Sequence, residues 1–364
     1  MAASPPAARR AACSPLADKP LAPGPGVGHA ANVSTWTSAV WSDEEFLAGL
    51  HSFVADAVGE PVTLEPVGRQ PWSAVWRAHA GSGTSYVKQN CPGQAHEARL
   101  VAELARIAPD QVVPVLAADA GRDLLLTEDL GPTLQELGRA ADVDVWCRVV
   151  AESAALQRRV ASVGFDPGLT VMDPSDASTY VADAVGRLAA LPPDDPRRLA
   201  PEVAHRLERL LPTVDRWSDR VEDLDLPLTL VHNDLHAANV VPLDGTLRFF
   251  DFGDAVVGEP LGNLLVPLYI AQGELHATHD DPRLWRIADA GLEVWSDLAP
   301  IAALRAALPA ALQLARLARV ESWRRCVATM TRDEQAEWGY VPARWLALLL
   351  EAPPVEVRPS AART

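Results

Sequence analysis

The sequence is nearly devoid of lysine. Lysine and arginine together number 32, yet only Lys19 and Lys88 are lysines. The ammonium of lysine is a compact point charge, and the planar guanidinium of arginine does not replace it at a tight phosphate site. Lys88, which lies outside the proline-rich amino terminus, is therefore a candidate functional residue before any motif is considered.

Cysteine is scarce as well, and its spacing excludes one class of metal site. The sequence has no C-x-x-C pair among its four cysteines, which are Cys13, Cys91, Cys147 and Cys326. This spacing gives no zinc site, and it predicts reduced thiols in a cytoplasmic protein.

A basic excess and long apolar segments are also lacking. The formal net charge is -16 at pH 7, whereas nucleic-acid-binding proteins carry a basic footprint, so no nucleic-acid partner is expected. The longest apolar runs, such as residues 345–350, are far shorter than the roughly 18 residues that span a bilayer, so no membrane partner is expected. No apolar segment follows Arg9 and Arg10, which argues against a secretory signal. The sequence does not define an oligomeric state.

Composition and patterning divide the chain into four segments. The apolar share of 48% over 364 residues is enough for a substantial core. The segments are a disordered tail rich in proline and alanine (1–35), an amino-terminal lobe with a leading helix (36–130), a larger carboxyl-terminal lobe (131–352) and a loose tail (353–364). The first lobe is predicted to be a small antiparallel sheet with one inserted helix, and the second to be mostly helical.

Local signals refine this outline at three places. Ser42 to Glu45 reads as a capping box that opens the leading helix, which extends to about Val58. Three short β-rich runs between about 228 and 250 interrupt the helical lobe, and the last two are joined by a turn at Asp244. A break at Pro309 is expected in the long helix that follows.

The β-rich segment that interrupts the helical lobe contains the candidate catalytic and metal-binding residues. It reads Val-His-Asn-Asp-Leu-His-Ala-Ala-Asn over 231–239, then Phe-Phe-Asp-Phe-Gly-Asp over 249–254. Carboxylate and amide oxygens suit a hard cation such as Mg²⁺, so Asn239 and Asp251 are candidate ligands. Asp234 is left to orient a nucleophile and accept its proton. Each of these residues alone is typical of a solvated turn, but Asp251 follows Asn239 by twelve residues across an evident hairpin, and the combination favours a site.

These motifs resemble the catalytic and metal-binding segments of protein kinase-like phosphotransferases. The second histidine and Asn233 make the sequence more similar to the aminoglycoside phosphotransferase and choline kinase branch, over about residues 60–270. The resemblance implies a bilobal α+β fold and an ATP-dependent phosphotransferase that uses Mg²⁺. It implies that Asp234 is the catalytic aspartate, that Asn239 and Asp251 bind magnesium, and that His232 supports the catalytic loop.

The same resemblance assigns roles in the amino-terminal lobe. Lys88 stands at the end of the third strand, where such kinases have a lysine that faces the α- and β-phosphates. Its partner should be a glutamate on the following helix, either Glu97 or Glu103. Glu97 is favoured because it shares a helical face with Leu100 and its neighbours.

The remaining nucleotide contacts are expected in two loops. Residues 67–76 contain one glycine where protein kinases have three, and Ser73 is the position whose hydroxyl or backbone N–H would meet a phosphate. Residues 124–131 resemble the hinge between the lobes, where adenine would bond to the Thr127 carbonyl and the Asp129 N–H. The sequence departs from the family at Asn263, where an aspartate usually braces the catalytic loop.

The acceptor is less well defined than the nucleotide. Residues 281–364 contain ten acidic residues and eleven arginines, which weakens the case for a polycationic aminoglycoside. The helically spaced arginines at 316, 319, 324 and 325 are interpreted as a solvated face, which is favoured over a substrate site. Three functions stay open: a kinase of a small hydroxylated metabolite, a kinase of serine or threonine in a peptide, and a catalytically inactive pseudokinase scaffold. The presence of Lys88, Asp234, Asn239 and Asp251 makes the scaffold the least favoured.

Overall fold

The structure is a computed structural model that describes residues 36–163 and 168–356. The predicted disordered tail 1–35 and residues 357–364 lie outside the described residues. Among the described residues, secondary structure divides into a sheet-containing part and a mostly helical part. The predicted α+β class is confirmed, while the exact boundary between lobes at residue 130 stays a prediction.

The amino-terminal lobe is a five-stranded antiparallel sheet with two helices. Its elements are α1 (Glu44–Val58), β1 (Thr63–Gln70), β2 (Ser73–Ala80), β3 (Gly83–Asn90), α2 (Glu97–Ile107), β4 (Val115–Asp119) and β5 (Leu124–Glu128). The strand order is β1-β2-β3-β5-β4. Ala74, Trp76 and Ala78 alternate along β2 and face the core of this lobe, as the period of a half-buried strand requires.

The carboxyl-terminal lobe is built from helices around a short β segment. Its elements are α3 (Val143–Ala161), β6 (Val171–Met172), α4 (Ala177–Ala189), α5 (Pro201–Glu222), β7 (Thr229–Val231), β8 (Val240–Leu243), β9 (Thr246–Phe249), β10 (Val256–Gly258), α6 (Leu265–Glu274), α7 (Pro282–Leu292), α8 (Ile301–Val327), α9 (Arg332–Trp338) and α10 (Val341–Ala347). β8 and β9 form a hairpin, and β6, β10 and β7 form a separate three-stranded sheet. The two-residue strand β6 has no periodicity to predict it.

Three local predictions are wrong. The capping box does not form, because the helix begins after Asp43 without a side-chain cap and the Ser42 hydroxyl instead accepts a hydrogen bond from Arg69. Helix α8 continues through Pro309 without a break, since buried side chains on both sides of that proline hold the helix in place. The predicted loose tail begins too early, because Val355 is fully buried and the Pro353 carbonyl lies 2.6 Å from His279 Nδ1.

Helix α8 is the central helix of the larger lobe. By length and composition alone it could cross a membrane, but 61% of its apolar window is buried inside the protein. Its carboxyl-terminal end also contacts the amino-terminal lobe. A methyl group at Gly93 would lie 2.3 Å from the Arg325 carbonyl oxygen, so the turn after β3 packs directly on the α8 backbone and only glycine fits there.

Glu259 gives the fold a pH-dependent contact. Its Oε2 accepts a hydrogen bond from the Gly262 N–H at 3.0 Å, at the start of a short 3-10 turn (Pro260–Leu264). Its Oε1 is buried without a hydrogen-bond partner in the part of the chain that the structure describes. Burial raises the pKa of this carboxyl to about 7, against the lowering effect of the Leu261 and Gly262 N–H groups.

We expect Glu259→Gln to stabilise the protein at high pH. The folded chain retains the Glu259 proton that the unfolded chain releases above a pKa of 4.5, so wild-type stability falls as the pH rises through this window. The amide has no charge to desolvate, so the variant should gain on the order of 1–3 kcal/mol relative to wild type between pH 4 and pH 8. Denaturant unfolding across this pH range measures the gain. The exposed Glu274→Gln is the matched control, and an equal gain there would contradict the assignment.

Candidate functional site

The hairpin β8–β9 brings the two halves of the motif together. Its strands pair Val240 with Phe249, and the Phe250 N–H donates to the Asn239 carbonyl at 3.2 Å. Asp244 and Gly245 at its tip both have positive φ, as a two-residue hairpin turn requires. The register therefore places Asn239 beside the backbone that leads to Asp251.

Asp234 is a buried carboxylate held between Arg319 and His236. Its Oδ1 lies 3.2 Å from Arg319 NH1, and its Oδ2 lies 3.3 Å from His236 Nε2. Burial alone would favour the neutral acid, but the charge of Arg319 and then the contact with His236 outweigh it and hold the pKa of Asp234 well below its usual range. Oδ1 is buried against Arg319, while the Asp234 side chain as a whole is 12% exposed. The ionised carboxylate is therefore not sealed from an acceptor hydroxyl group.

Asn239 and Asp251 supply the oxygen donors of the predicted magnesium site. The Asn239 amide nitrogen donates to the Asp234 carbonyl at 3.0 Å, which leaves the amide oxygen for a cation. The Asp251 side chain is 45% exposed toward the cleft. Within the described ranges no group of three or more His, Cys, Asp or Glu side chains could hold a metal alone. One carboxylate and one amide fit Mg²⁺, which completes its coordination with phosphate oxygens and water.

Lys88 connects the two lobes through carboxylates. Its Nζ lies 2.6 Å from Glu97 Oε2 and 2.5 Å from Asp251 Oδ1. Burial disfavours the ammonium, but the charges of Asp251 and Glu97 outweigh it and raise the pKa of Lys88 above its usual value. Glu97 Oε1 also accepts from the Phe252 N–H at 2.8 Å. The structure thus brings together Lys88, Glu97 and Asp251, whereas Glu103 pairs with Arg106 at the surface.

Two residues without a predicted role orient Glu97. Asn90 Nδ2 donates to Glu97 Oε2 at 2.7 Å and to Asp123 Oδ2 at 3.0 Å. Asp123 Oδ1 in turn accepts from the Ala98 N–H at 2.9 Å, at the beginning of α2. Asp123 comes from the β4–β5 turn, so no local sequence pattern links it to this helix.

His232 joins the catalytic loop to the segment before Asp251. Its Nε2 lies 3.0 Å from the Phe250 carbonyl, and its Nδ1 lies 3.4 Å from the Asp234 N–H. A carbonyl only accepts, so this geometry assigns the proton to Nε2. Burial lowers the pKa of His232, which favours the neutral ring.

Asn263 braces the loop through the backbone rather than through the histidine ring. Its Oδ1 accepts from the His232 N–H at 3.0 Å, and its Nδ2 donates to Ser153 Oγ at 2.8 Å. An amide oxygen accepts this hydrogen bond as a carboxylate would. The replacement of the usual aspartate by Asn263 therefore preserves the hydrogen bond that braces the loop at His232.

The turn between β1 and β2 is fixed to the carboxyl-terminal helices by three tryptophans, which we call the tryptophan cluster (Trp72, Trp323 and Trp338). The Trp72 ring meets Trp323 and Trp338 edge-on, with ring centroids 5.1 and 5.0 Å away. The Trp72 carbonyl accepts from the Cys91 N–H at 2.7 Å. Ser73, the predicted phosphate contact, follows Trp72 and is buried at the start of β2.

The predicted hinge residues lie at the end of β5. Thr127 pairs with Tyr86 across β3 and β5. Asp129 follows the strand, and its Oδ1 accepts from the Gly131 N–H at 2.9 Å. The adenine contacts of Thr127 and Asp129 stay predictions.

Arg319 is the residue that sequence reasoning missed. The predicted solvated face is wrong for Arg316 and Arg319, which are 3% and 1% exposed. Arg319 contacts Asp234 and also lies 3.1 Å from Asp254 Oδ2. Helical spacing marked this residue, but only the tertiary fold turns its side chain inward.

Comparison of the sequence with models of protein families identifies the family of this chain. The model of the phosphotransferase enzyme family APH matches residues 63–266, more than half of the chain. The chain belongs to this family. The matched range begins at β1 and ends in α6, so it includes Lys88, Glu97, Asp234, Asn239 and Asp251.

Solved structures agree on the fold of this phosphotransferase. It is similar to Plasmodium vivax ethanolamine kinase with a TM-score of 0.59 and 10% identity, over 86% of this chain and 90% of that one. It is similar to amicoumacin kinase hAmiN, in complex with AMP-PNP, Ca²⁺ and Ami, with a TM-score of 0.53 and 14% identity over 86% and 98%. Choline kinase from Cryptosporidium parvum Iowa II gives a TM-score of 0.51 and 8% identity over 85% and 94%. The predicted bilobal kinase-like fold is confirmed.

A search of curated protein sequences finds no match.

We expect Trp72→Ala to weaken nucleotide binding. Removing the central ring of the tryptophan cluster frees the turn that carries Ser73, so Mg-ATP affinity should fall about tenfold and stability by about 2–4 kcal/mol. Calorimetry and thermal unfolding measure the two effects. The matched control is Trp285→Ala, because that half-buried ring packs on Arg305 away from the cleft and should cost stability alone. Unchanged affinity in Trp72→Ala would remove the turn from the nucleotide site.

Proposed function

We propose that this phosphotransferase transfers the γ-phosphoryl group of Mg-ATP to a hydroxyl group of a small metabolite, such as a sugar, an amino alcohol or an aminoglycoside-like compound. The observation that carries the proposal is the Asp234 carboxylate, which the Arg319 guanidinium keeps ionised and whose side chain, beside the His236 ring, is 12% exposed. A carboxylate in this state is suited to orient an acceptor hydroxyl and to accept its proton as the new bond forms.

The nucleotide side of the proposal rests on Lys88. Its ammonium lies between Glu97 and Asp251 at 2.6 and 2.5 Å, and its raised pKa keeps it charged. In this position the ammonium faces the phosphates, while Glu97 keeps the lysine side chain extended. Ser73, Thr127 and Asp129 would complete the nucleotide contacts at the β1–β2 turn and at the hinge.

Asn239 and Asp251 would hold Mg²⁺ through one amide and one carboxylate oxygen. Bound Mg²⁺ would offset the negative charge of the phosphates. Asp251 needs this compensation because the phosphates would approach a cleft that contains further carboxylates, including Glu97 and Asp234. His232 would support the loop by holding Asp234 and the segment before Asp251 in register.

The small-molecule acceptor is supported by the structural neighbours. Those with a TM-score above 0.5 that are named above are kinases of ethanolamine, amicoumacin and choline. Phosphoryl transfer depends on positioning and electrostatics more than on covalent chemistry, so one arrangement of catalytic and nucleotide-binding residues can serve many acceptors.

We expect Asp234→Asn and Asp251→Asn to separate chemistry from binding. The first variant loses the proton acceptor, so its kcat should fall about 10²- to 10⁴-fold while Mg-ATP affinity is kept. The second loses a cation ligand, so it should lose the Mg²⁺-dependent part of ATP affinity in calorimetry. Asp234→Asn with wild-type turnover on the acceptor would disprove the catalytic assignment of Asp234.

An acceptor screen tests the substrate class. The protein is incubated with Mg-ATP and separate panels of sugars, amino alcohols, aminoglycosides and Ser/Thr peptides, and products are detected by the mass of one added phosphoryl group. We expect a product in a small-molecule panel that Asp234→Asn does not form. Products confined to the peptide panel would instead support a kinase of peptide serine or threonine. Identification of an acceptor also provides the substrate for the kinetic comparison of Asp234→Asn.

A further inference from the structure

Arg319 is a buried arginine whose polar contacts all fall on the segments around Asp234 and Asp254. It lies on α8, about two turns before the helix ends, and is 1% exposed. Its NH1 donates to the Asn233 carbonyl at 2.6 Å and lies 3.1 Å from Asp254 Oδ2 and 3.2 Å from Asp234 Oδ1. A single guanidinium nitrogen therefore contacts the backbone before Asp234, the Asp234 carboxylate and the carboxylate three residues after Asp251.

The other contacts of this guanidinium hold it in place without competing for the carboxylates. Its central carbon lies 5.3 Å from the centre of the Trp345 ring, in the range of a cation–π contact. Its Nε is buried without a hydrogen-bond partner among the described residues. The side chain is thus fixed by burial and by Trp345, and its charge is directed at Asp234 and Asp254.

Asp254 makes Arg319 a link between two loops. The Asp254 carboxylate also accepts hydrogen bonds from Ser322 on α8 and, at 2.9 Å, from Gln94 Nε2. The Asp254 carbonyl accepts from Asn233 Nδ2 at 3.1 Å. Asn233 has a φ of 64°, a left-handed conformation in which its side chain and its carbonyl contact Asp254 and Arg319.

We propose that Arg319 is the positioning residue that fixes the Asp234 carboxylate relative to the metal-binding segment at Asp251. This inference rests on the proposed function, because Asp234 is its proposed catalytic residue. Arg319 acts through Asp234 and Asp254 and does not itself contact a substrate. Removing it leaves two carboxylates close together without their common cation, a strongly unfavourable arrangement in a buried site. The Asp234 carboxylate then rotates away from Asp254, and the acceptor hydroxyl loses its alignment with the phosphoryl group.

Arg316 provides a matched control on the same helix. It is also buried, at 3% exposure, but its guanidinium donates to the Glu351 and Ala352 carbonyls at 2.9 and 2.8 Å and to Gln313 Oε1 at 2.7 Å. Its contacts stabilise the chain after α10 and do not involve the catalytic segment. Loss of either arginine removes a buried guanidinium, but only loss of Arg319 removes the cation beside Asp234.

The experiment compares Arg319→Ala with Arg316→Ala. Turnover of Mg-ATP with water as the acceptor gives kcat, and calorimetry gives the Kd of Mg-ATP. We expect Arg319→Ala to lose at least about 10²-fold in kcat, the cost of a misplaced catalytic group, with Kd changed by less than about threefold. Millimolar guanidinium chloride should restore kcat about tenfold, since the free cation fits the space that the side chain leaves, whereas sodium chloride at equal ionic strength should not. Arg316→Ala should keep kcat within about threefold of wild type and should not respond to guanidinium.

Arg319→Lys keeps the test decisive where Arg319→Ala does not fold. One nitrogen makes all three polar contacts, so an ammonium on a side chain one bond shorter can reproduce them in part. This variant keeps a cation beside Asp234 and Asp254, so it should fold, bind Mg-ATP as wild type does and lose no more than about 10²-fold in kcat. A folded Arg319→Lys that loses more than about 10²-fold in kcat contradicts the proposal.

Two further results would overturn the inference while leaving the proposed function intact. One is wild-type kcat in Arg319→Ala. The other is a loss of kcat in Arg319→Ala that guanidinium chloride does not restore or that Arg316→Ala shows to the same extent. Either outcome means that Arg319 only supports the fold. Failure of the proposed function is distinct: wild type itself would then show neither Mg²⁺-dependent ATP binding nor turnover with any acceptor.

Discussion

Carboxylates of like charge converge on the cleft, and each of them has to be matched by a cation or an N–H group. Glu97 and Asp251 share the ammonium of Lys88, and Asp234 shares the guanidinium of Arg319 with Asp254. Like charges this close are unfavourable in a poorly hydrated site unless they are neutralised. The positions of the two cations therefore fix the positions of the carboxylates, and through them the separation of the two loops that carry the chemistry.

Helix α8 connects the elements of this site. Going along the helix, Arg319 contacts the catalytic segment, Ser322 contacts Asp254, Trp323 contacts the β1–β2 turn, and Arg325 packs on the turn at Gly93. These residues lie within about two turns of one helix, so they move together. The lobes are thus joined at α8, and the β1–β2 turn and the loop that carries Asp234 contact the same helix.

The sequence was informative where the signal is local. Asn239 and Asp251 were found because a hairpin of predictable register joins them, and Glu97 because it shares a helical face with apolar neighbours. The β-rich runs and the α+β class followed from periodicity, and the scarcity of lysine singled out Lys88. The assigned roles go beyond these signals and rest on the resemblance.

The failures share a physical cause, which is that the deciding contact is distant in the chain. The Ser42 hydroxyl bonds to Arg69 rather than capping α1, and Asp123 supports α2 from another turn. Arg319 has the spacing of a solvated face, yet it is buried because Asp234 and Asp254 lie beneath it. Periodicity reports which residues share a face of a helix. It does not report which face meets a pair of carboxylates.

The contrast between Lys88 and Arg319 follows from what each cation has to do. Arg319 is 1% exposed and pairs permanently with protein groups, and a guanidinium is suited to burial because it is weakly hydrated. The Lys88 side chain is 16% exposed and its charge is shared between two carboxylates; in the proposed function it also binds the phosphates of ATP. A compact ammonium with freely directed donors can exchange among such partners, whereas a planar fork cannot. The proposed function therefore accounts for a lysine, in a chain with thirty arginines, at the one of these two positions where the partner of the cation would change during turnover.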